Sequence, residues 1–165
     1  MKRLPLFLIV LGPAVAVATG LWIVRARSAP DTQPLAAGAL RGANVLLVTI
    51  DTLRADHVGA YGRIGALTPT FDAFAKEGLR FDRTYAHVPL TLPSHASLMT
   101  AAYPTRNGVH DNGTFRLGDQ SPTLATILKD AGYRTGAFVG AFVLDARFGL
   151  NRGFDVYDDR YGDHH

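Results

Sequence analysis

The 165-residue chain is 47% hydrophobic and 19% charged, with no cysteine, which suits one globular domain and is too apolar for a disordered polypeptide. The missing cysteine excludes disulfide frameworks, thiolate-ligated metals and thiol nucleophiles. Of the 17 basic residues, five lie in 1–42 beside one acidic residue, which leaves 12 basic against 13 acidic residues over 43–165. This nearly neutral remainder lacks the basic stripe that nucleic-acid phosphates attract, so we expect no nucleic-acid partner.

The N-terminal segment has the pattern of a membrane element. Two basic residues precede an uncharged apolar stretch over 4–24, and two arginines follow it. Because a helix of roughly 20 apolar residues spans a bilayer, we predict an anchor over 1–27, with a cleaved signal peptide as the alternative. The domain would then lie on the extracytoplasmic, periplasmic side, or be secreted if the leader is cleaved. Residues 28–43, rich in Ala, Pro and Gly, predict a flexible linker.

Strand and helix patterns alternate after the linker. Residues 44–50 form a continuous apolar and β-branched run that ends at Asp51, as expected of a strand buried on both faces. Further strands are predicted over 79–86 and 133–139, and helices are predicted from Thr68-Pro69 to Gly78, around Pro93, and from Ser121-Pro122 to Gly132. This order predicts an α/β fold with a parallel sheet, helices on both faces and ligand sites at the carboxyl ends of strands.

Two positions in this predicted fold have side chains that could bind a metal or act as a nucleophile. Asp51 directly follows the first strand, where its carboxylate could bind a hard cation or, alternatively, cap the next helix or order the turn through Thr52. Thr91 lies near the start of the helix that contains Pro93, where its hydroxyl could be a nucleophile or simply the N-cap. The residues alone leave both alternatives open.

Two sequence motifs, one after the other along the chain, favour the functional interpretation of Asp51 and Thr91 because they resemble a known family. The run NVLLVTIDTLRADH from residue 44, followed by TLPSHASLMTAAYPTRNGV from residue 91, resembles the N-terminal part of the sulfatase family in the alkaline-phosphatase superfamily. The similarity extends to about Tyr161 and includes the GFDVYDD block at 153–159. It implies an alkaline-phosphatase-like α/β sandwich with a mainly parallel central sheet, of which residues 44–165 would be the N-terminal portion.

The resemblance also implies a divalent cation (Ca²⁺, Mn²⁺ or Zn²⁺) and a nucleophile that attacks the sulfur or phosphorus of an ester. Asp51 matches the first metal ligand, and Thr91 matches the nucleophile, whose oxygen is a second ligand. Asn112 matches a residue that donates to a non-bridging oxygen of the substrate in phosphodiesterase and phosphonate-hydrolase relatives. His95 stands where sulfatases have Arg; it would orient the nucleophile or bind the anion, or else be structural.

Three departures from the family pattern modify this expectation. Thr91 replaces the Cys or Ser that sulfatases convert to formylglycine, and its Cβ methyl prevents that conversion. Thr52 replaces the second Asp of the usual pair, and residues 140–142 lack a Lys-x-His pair. These changes favour direct attack by a metal-bound threonine alkoxide on a sulfate or phosphate ester of a small molecule or a glycan. The alternatives are an envelope phosphoglycerol or phosphoethanolamine transferase and a non-catalytic remnant.

The expected metal ligands are incomplete within this sequence. One carboxylate and one hydroxyl are fewer donors than a divalent cation takes. The family supplies its remaining ligands from further along the chain than residue 165. We therefore expect the sequence to be a truncated or N-terminal portion that is inactive by itself.

Overall fold

The computed structural model describes residues 36–161. The chain divides into two units, Met1–Val48 and Thr49–His165. The described part of the first unit consists of consecutive turns over 37–42 and irregular chain, with every residue exposed. The predicted membrane segment, 1–27, lies outside the described residues. None of the helices that the structure does describe is long and apolar enough to cross a membrane.

Short helices and a small sheet build the second unit. Its α-helices are α1 (Pro69–Glu77), α2 (Thr91–Thr100), α3 (Pro104–Asn107) and α4 (Leu124–Asp130). Its strands are β1 (Gly136–Phe138) and β2 (Val156–Asp158), and 3-10 turns cover Ala55–His57, Gly59–Tyr61, Phe142–Leu144 and Ala146–Phe148. The strands pair in parallel, with Gly136 opposite Val156. The α/β class and the parallel pairing agree with the sequence.

Two of the three predicted strands are wrong. Residues 44–50 and 79–86 have no regular secondary structure and are exposed throughout. The sheet of the described residues contains β1 and β2 alone. A strand is stable only when a neighbour accepts and donates its ladder hydrogen bonds, so an apolar pattern without such a neighbour does not form one. The third prediction, 133–139, contains β1 and is confirmed in its centre.

The helices follow their local signals more closely. Helix α1 begins at Pro69 and ends before Gly78, whose N–H donates to the Phe74 carbonyl, as predicted. Helix α4 starts later than predicted, because Thr123 and not Ser121 is its N-cap. The Thr123 hydroxyl accepts from the backbone N–H of Thr126 at 3.1 Å, and this capping box satisfies two end donors at once.

The core of the second unit lies around α2. Leu92 and Ala96 of this helix are completely buried. They belong to one apolar cluster whose other buried members are Val109, Leu117, Leu144, Phe148 and Leu150. Burying a leucine side chain contributes about 1.5–3 kcal/mol, so these contacts fix the position of α2. The first residue of that helix, Thr91, is held in place as a result.

The GFDVYDD block, residues 153–159, connects strand β2 to neighbouring elements of this unit. Gly153 has φ +86°, and a Cβ there would lie 2.3 Å from the backbone nitrogen of Thr126, so only glycine fits. Asp155 accepts from the backbone N–H of Thr135 at 2.8 Å and pairs with the Lys129 ammonium at 2.8 Å. Hydrogen bonds, first from Lys129 and then from the Thr135 backbone, lower the pKa of Asp155 to about 2. The block therefore ties β2 to the entry of β1 and to α4.

Candidate active site

Thr91, at the start of helix α2, contacts Asp51, the residue that follows the apolar run over 44–50. Thr91 is the first residue of the helix, Leu90 is its N-cap, and no side chain caps it. The Thr91 hydroxyl instead donates to Oδ2 of Asp51 at 3.1 Å, across 40 residues of sequence. The N-cap alternative for Thr91 is therefore wrong. The structure brings together the two residues that the sequence singled out.

The backbone turns sharply after Asp51. Thr52 has φ +56°, a left-handed conformation that is rare for a β-branched residue and costs about 1–2 kcal/mol. Asp51 does not cap the next 3-10 turn, Ala55–His57, because the N-cap position there belongs to Arg54. Its carboxylate is directed at Thr91 instead. The strained residue lies immediately beside this carboxylate.

Asn112 reaches the same helix end from the loop after α3. Its Oδ1 accepts from the backbone N–H of Leu92 at 2.9 Å. Because a backbone N–H can only donate, this contact fixes which amide atom faces the helix. Within residues 36–161 the Nδ2 group then has no protein acceptor, so its two donors are available for a ligand oxygen. This is the donor group that the predicted role of Asn112 needs.

The backbone donors at the start of α2 are largely occupied. The Leu92 N–H is bound by Asn112, Pro93 has no N–H, and the Ser94 N–H donates to the Leu90 carbonyl at 3.0 Å. With these donors engaged, the groups that remain to bind an anion here include the Asn112 amide and the positive end of the helix dipole.

His95 lies one turn further along α2. Its Nδ1 is 2.8 Å from the Thr91 carbonyl oxygen, and its Nε2 is 3.1 Å from Oγ1 of Thr49. Both ring nitrogens therefore have protein partners. No sequence signal pointed to Thr49 by itself, although it stands two residues before Asp51, a spacing that often places side chains on the same side of the chain.

An open cleft of about 430 Å³ is lined by Thr49, Asp51, Thr91 and His95, whereas Asn112 is not among its lining residues. Asp51 and His95 are the ionisable residues among those that line it, and Thr49, Thr91 and Ser94 contribute hydroxyls. Somewhat more than half of the lining surface is apolar, formed by side chains that include Ile50, Leu53, Val88, Leu90 and Leu98. The cleft thus combines a hydroxyl–carboxylate pair with a partly hydrophobic surface.

The described residues fit a divalent cation only in part. Asp51 and Thr91 place a carboxylate and a hydroxyl together, which are oxygen ligands of the kind that hard cations prefer. No group of three or more His, Cys, Asp or Glu side chains in residues 36–161 could hold a metal ion. Two donors are fewer than the four to eight of common metal sites. The described part of the chain is therefore not a complete metal centre.

Comparison with known proteins defines the class of this fold and site. A crystal structure from Bacteroides thetaiotaomicron described as a sulfatase superposes with a TM-score of 0.57 and 32% identity, over 64% of this chain and 23% of that one. The fold is thus the α/β fold of alkaline-phosphatase-like sulfatases, as predicted. The sulfatase family profile matches residues 43–162, and the chain belongs to the sulfatase family.

Relatives with assigned activities share this region. The chain is 34% identical to canine N-acetylgalactosamine-6-sulfatase over 87% of its own length and 30% of the relative's. It is 34% identical to an N-acetylglucosamine-6-O-sulfatase of Bacteroides thetaiotaomicron over 73% of this chain and 21% of that protein. For bovine arylsulfatase A the identity is 38%, over 64% and 22%. The chain therefore spans less than a third of the length of these relatives.

Proposed function

We propose that this protein hydrolyses sulfate or phosphate esters and that Thr91 is its nucleophile. The observation that carries the proposal is the hydrogen bond from the Thr91 hydroxyl to Asp51 at the start of a helix whose inner face packs in the core. Membership of the sulfatase family and the sulfatase names of its relatives favour ester hydrolysis over transfer to an envelope component.

The chemistry follows from the two side chains. The Thr91 oxygen attacks sulfur or phosphorus, its proton passes to Asp51 Oδ2, and the bond from the central atom to the ester oxygen breaks. The leaving alkoxide takes a proton from solvent. Water then attacks the central atom of the threonine ester and loses a proton to solvent, the bond to the Thr91 oxygen breaks, and Asp51 returns its proton to that oxygen, which restores the hydroxyl and releases sulfate or phosphate. The Asn112 amide donates to a non-bridging oxygen during both steps.

A divalent cation (Ca²⁺, Mn²⁺ or Zn²⁺) belongs to the proposal as the cofactor. Asp51 and Thr91 would provide two of its oxygen ligands, and the ion would lower the pKa of the bound hydroxyl. The set of donors within the described residues is incomplete, so we assign no further ligand.

The cleft also favours a class of ester. Somewhat more than half of its lining surface is apolar, and none of the residues that line it is a lysine or arginine. Such a surface suits an ester that carries one negative charge and an aryl or alkyl alcohol, because each buried CH₂ group contributes about 0.8 kcal/mol of binding. Aryl sulfates and aryl phosphodiesters are therefore the first substrates to test.

The experiment uses protein expressed from its complete reading frame, with p-nitrophenyl sulfate, p-nitrophenyl phosphate and bis-p-nitrophenyl phosphate as substrates. Thr91→Ala and Asp51→Asn should each lower kcat/KM by roughly 10³-fold or more, the scale of losing a nucleophile or its activating partner. Thr91→Ser should retain more activity than Thr91→Ala. Near-normal turnover by Thr91→Ala would show that another group is the nucleophile.

We also propose that the catalytic region lies outside the cytoplasm, attached through residues 1–27. The support is the apolar stretch over 4–24 and the arginines that follow it. The protein should stay in the membrane fraction after a carbonate wash and leave it with detergent. Release by carbonate, or a mature N-terminus after residue 16, would contradict the anchor.

A further inference from the structure

We propose that Thr49 is a positioning residue, which acts through His95 to hold Asp51 against the Thr91 hydroxyl. The inference rests on the proposed role of Thr91. It assigns a role to a residue that no motif had singled out, and it makes His95 a positioning residue and not a catalytic one.

The hydrogen bonds define the direction of each contact. The Thr91 carbonyl oxygen can only accept, so Nδ1 of His95 must carry the proton that it receives at 2.8 Å. In a neutral ring, Nε2 is then an acceptor, and the Thr49 hydroxyl donates to it at 3.1 Å. The ring thus links the backbone of residue 91 to the side chain of residue 49. With both nitrogens engaged, the ring has no free atom for a substrate.

Two parallel contacts join segment 49–51 to helix α2. Asp51 contacts Thr91, and Thr49 contacts His95. Two residues of chain span at most about 7 Å, and four residues of helix rise about 6 Å, so the spacings match. A single contact would leave the segment free to pivot about Thr91. Two contacts fix its direction and therefore the position of the Asp51 carboxylate.

The backbone after Asp51 shows why this restraint matters. Thr52 holds a left-handed conformation at φ +56°, which persists only where surrounding contacts over-determine it. The two contacts on α2 lie immediately before this residue. Without the Thr49 contact, relaxation of Thr52 would draw the carboxylate away from the hydroxyl.

The test compares Thr49→Val, which keeps the shape and removes the hydroxyl, with Thr49→Ser, which keeps the hydroxyl. Thr70→Val is the matched control, since Thr70 is an exposed residue of α1. In the 165-residue chain, nitrogen NMR of labelled histidine should show the Nδ1–H tautomer of His95. Its Nε2 signal should shift in Thr49→Val and stay in place in Thr49→Ser and Thr70→Val. An Nε2 signal that does not shift in Thr49→Val would show that the Thr49–His95 contact is absent.

The functional arm uses protein from the complete reading frame. Thr49→Val should lower kcat roughly tenfold, which corresponds to about 1.4 kcal/mol, while KM changes little and Thr49→Ser restores the rate. In a double-mutant cycle, Thr49→Val should have almost no effect once His95→Ala is present. Additive effects, or an unchanged kcat in Thr49→Val, would refute the positioning role. If Thr91→Ala stays active, the nucleophile assignment fails, and the NMR result still reports on the Thr49–His95 contact.

Discussion

Asn112 is expected to have two separable functions, one in stability and one in ligand binding. Its Oδ1 satisfies the N–H of Leu92, a residue with 0% exposure. In Asn112→Ala that buried donor loses its partner, and the cost of leaving it unsatisfied is about 1–3 kcal/mol. In Asn112→Asp a carboxylate oxygen still accepts from Leu92 and also suits the positive helix end, so stability should change by less than about 0.5 kcal/mol.

The two variants should therefore differ in stability and agree in function. Urea unfolding of the 165-residue chain should show a free energy of unfolding lower by about 2 kcal/mol in Asn112→Ala and nearly unchanged in Asn112→Asp. Gln120→Ala is the control, because Gln120 is an exposed amide residue. Both Asn112 variants lack the Nδ2 donors and should lower kcat/KM of the complete protein roughly tenfold or more. Equal stability of all three variants, with rapid hydrogen exchange at the Leu92 amide, would refute the contact.

Two further outcomes are expected of the 165-residue chain. Thr52→Asn should raise the free energy of unfolding by about 1 kcal/mol in urea titrations, because asparagine tolerates a positive φ, whereas Thr70→Asn on exposed α1 should not raise it. A lower stability of Thr52→Asn would show that Thr52 is not strained. The pKa of Asp155 falls to about 2 beside Lys129. Its contribution to the free energy of unfolding is therefore complete above the ordinary carboxyl pKa of about 4, and it is lost as the pH falls from there toward 2. Lys129→Met should reduce this acid sensitivity, and an identical pH profile in the variant would contradict the pairing.

The sequence predicted the helices better than the strands because their signals differ in range. Helix α1 begins at Pro69 and ends at Gly78 through contacts within the segment itself. The run 44–50 has the composition of a buried strand, but its ladder hydrogen bonds depend on neighbours that no local pattern specifies. For the same reason β1 forms only over Gly136–Phe138, where β2 pairs with it.

At the site, the motifs singled out Asp51 and Thr91, and the structure adds their contact. The sequence did not show that Asn112 binds the Leu92 amide or that Thr49 faces His95. Both contacts join loops to α2 across at least 20 residues, so they depend on how the chain packs. A hydroxyl two residues before Asp51, together with a histidine four residues after Thr91, is the signal that could have suggested the second contact.

The nucleophile can be tested most directly by finding the covalent intermediate. Protein expressed from its complete reading frame would be mixed with excess p-nitrophenyl sulfate or bis-p-nitrophenyl phosphate, quenched in acid, digested and mapped by mass spectrometry. If Thr91 is the nucleophile, the adduct is a sulfated or phosphorylated Thr91, with the same adduct at residue 91 in Thr91→Ser and none in Thr91→Ala. Steady turnover with an adduct on another residue, or turnover that Thr91→Ala preserves, would contradict this assignment.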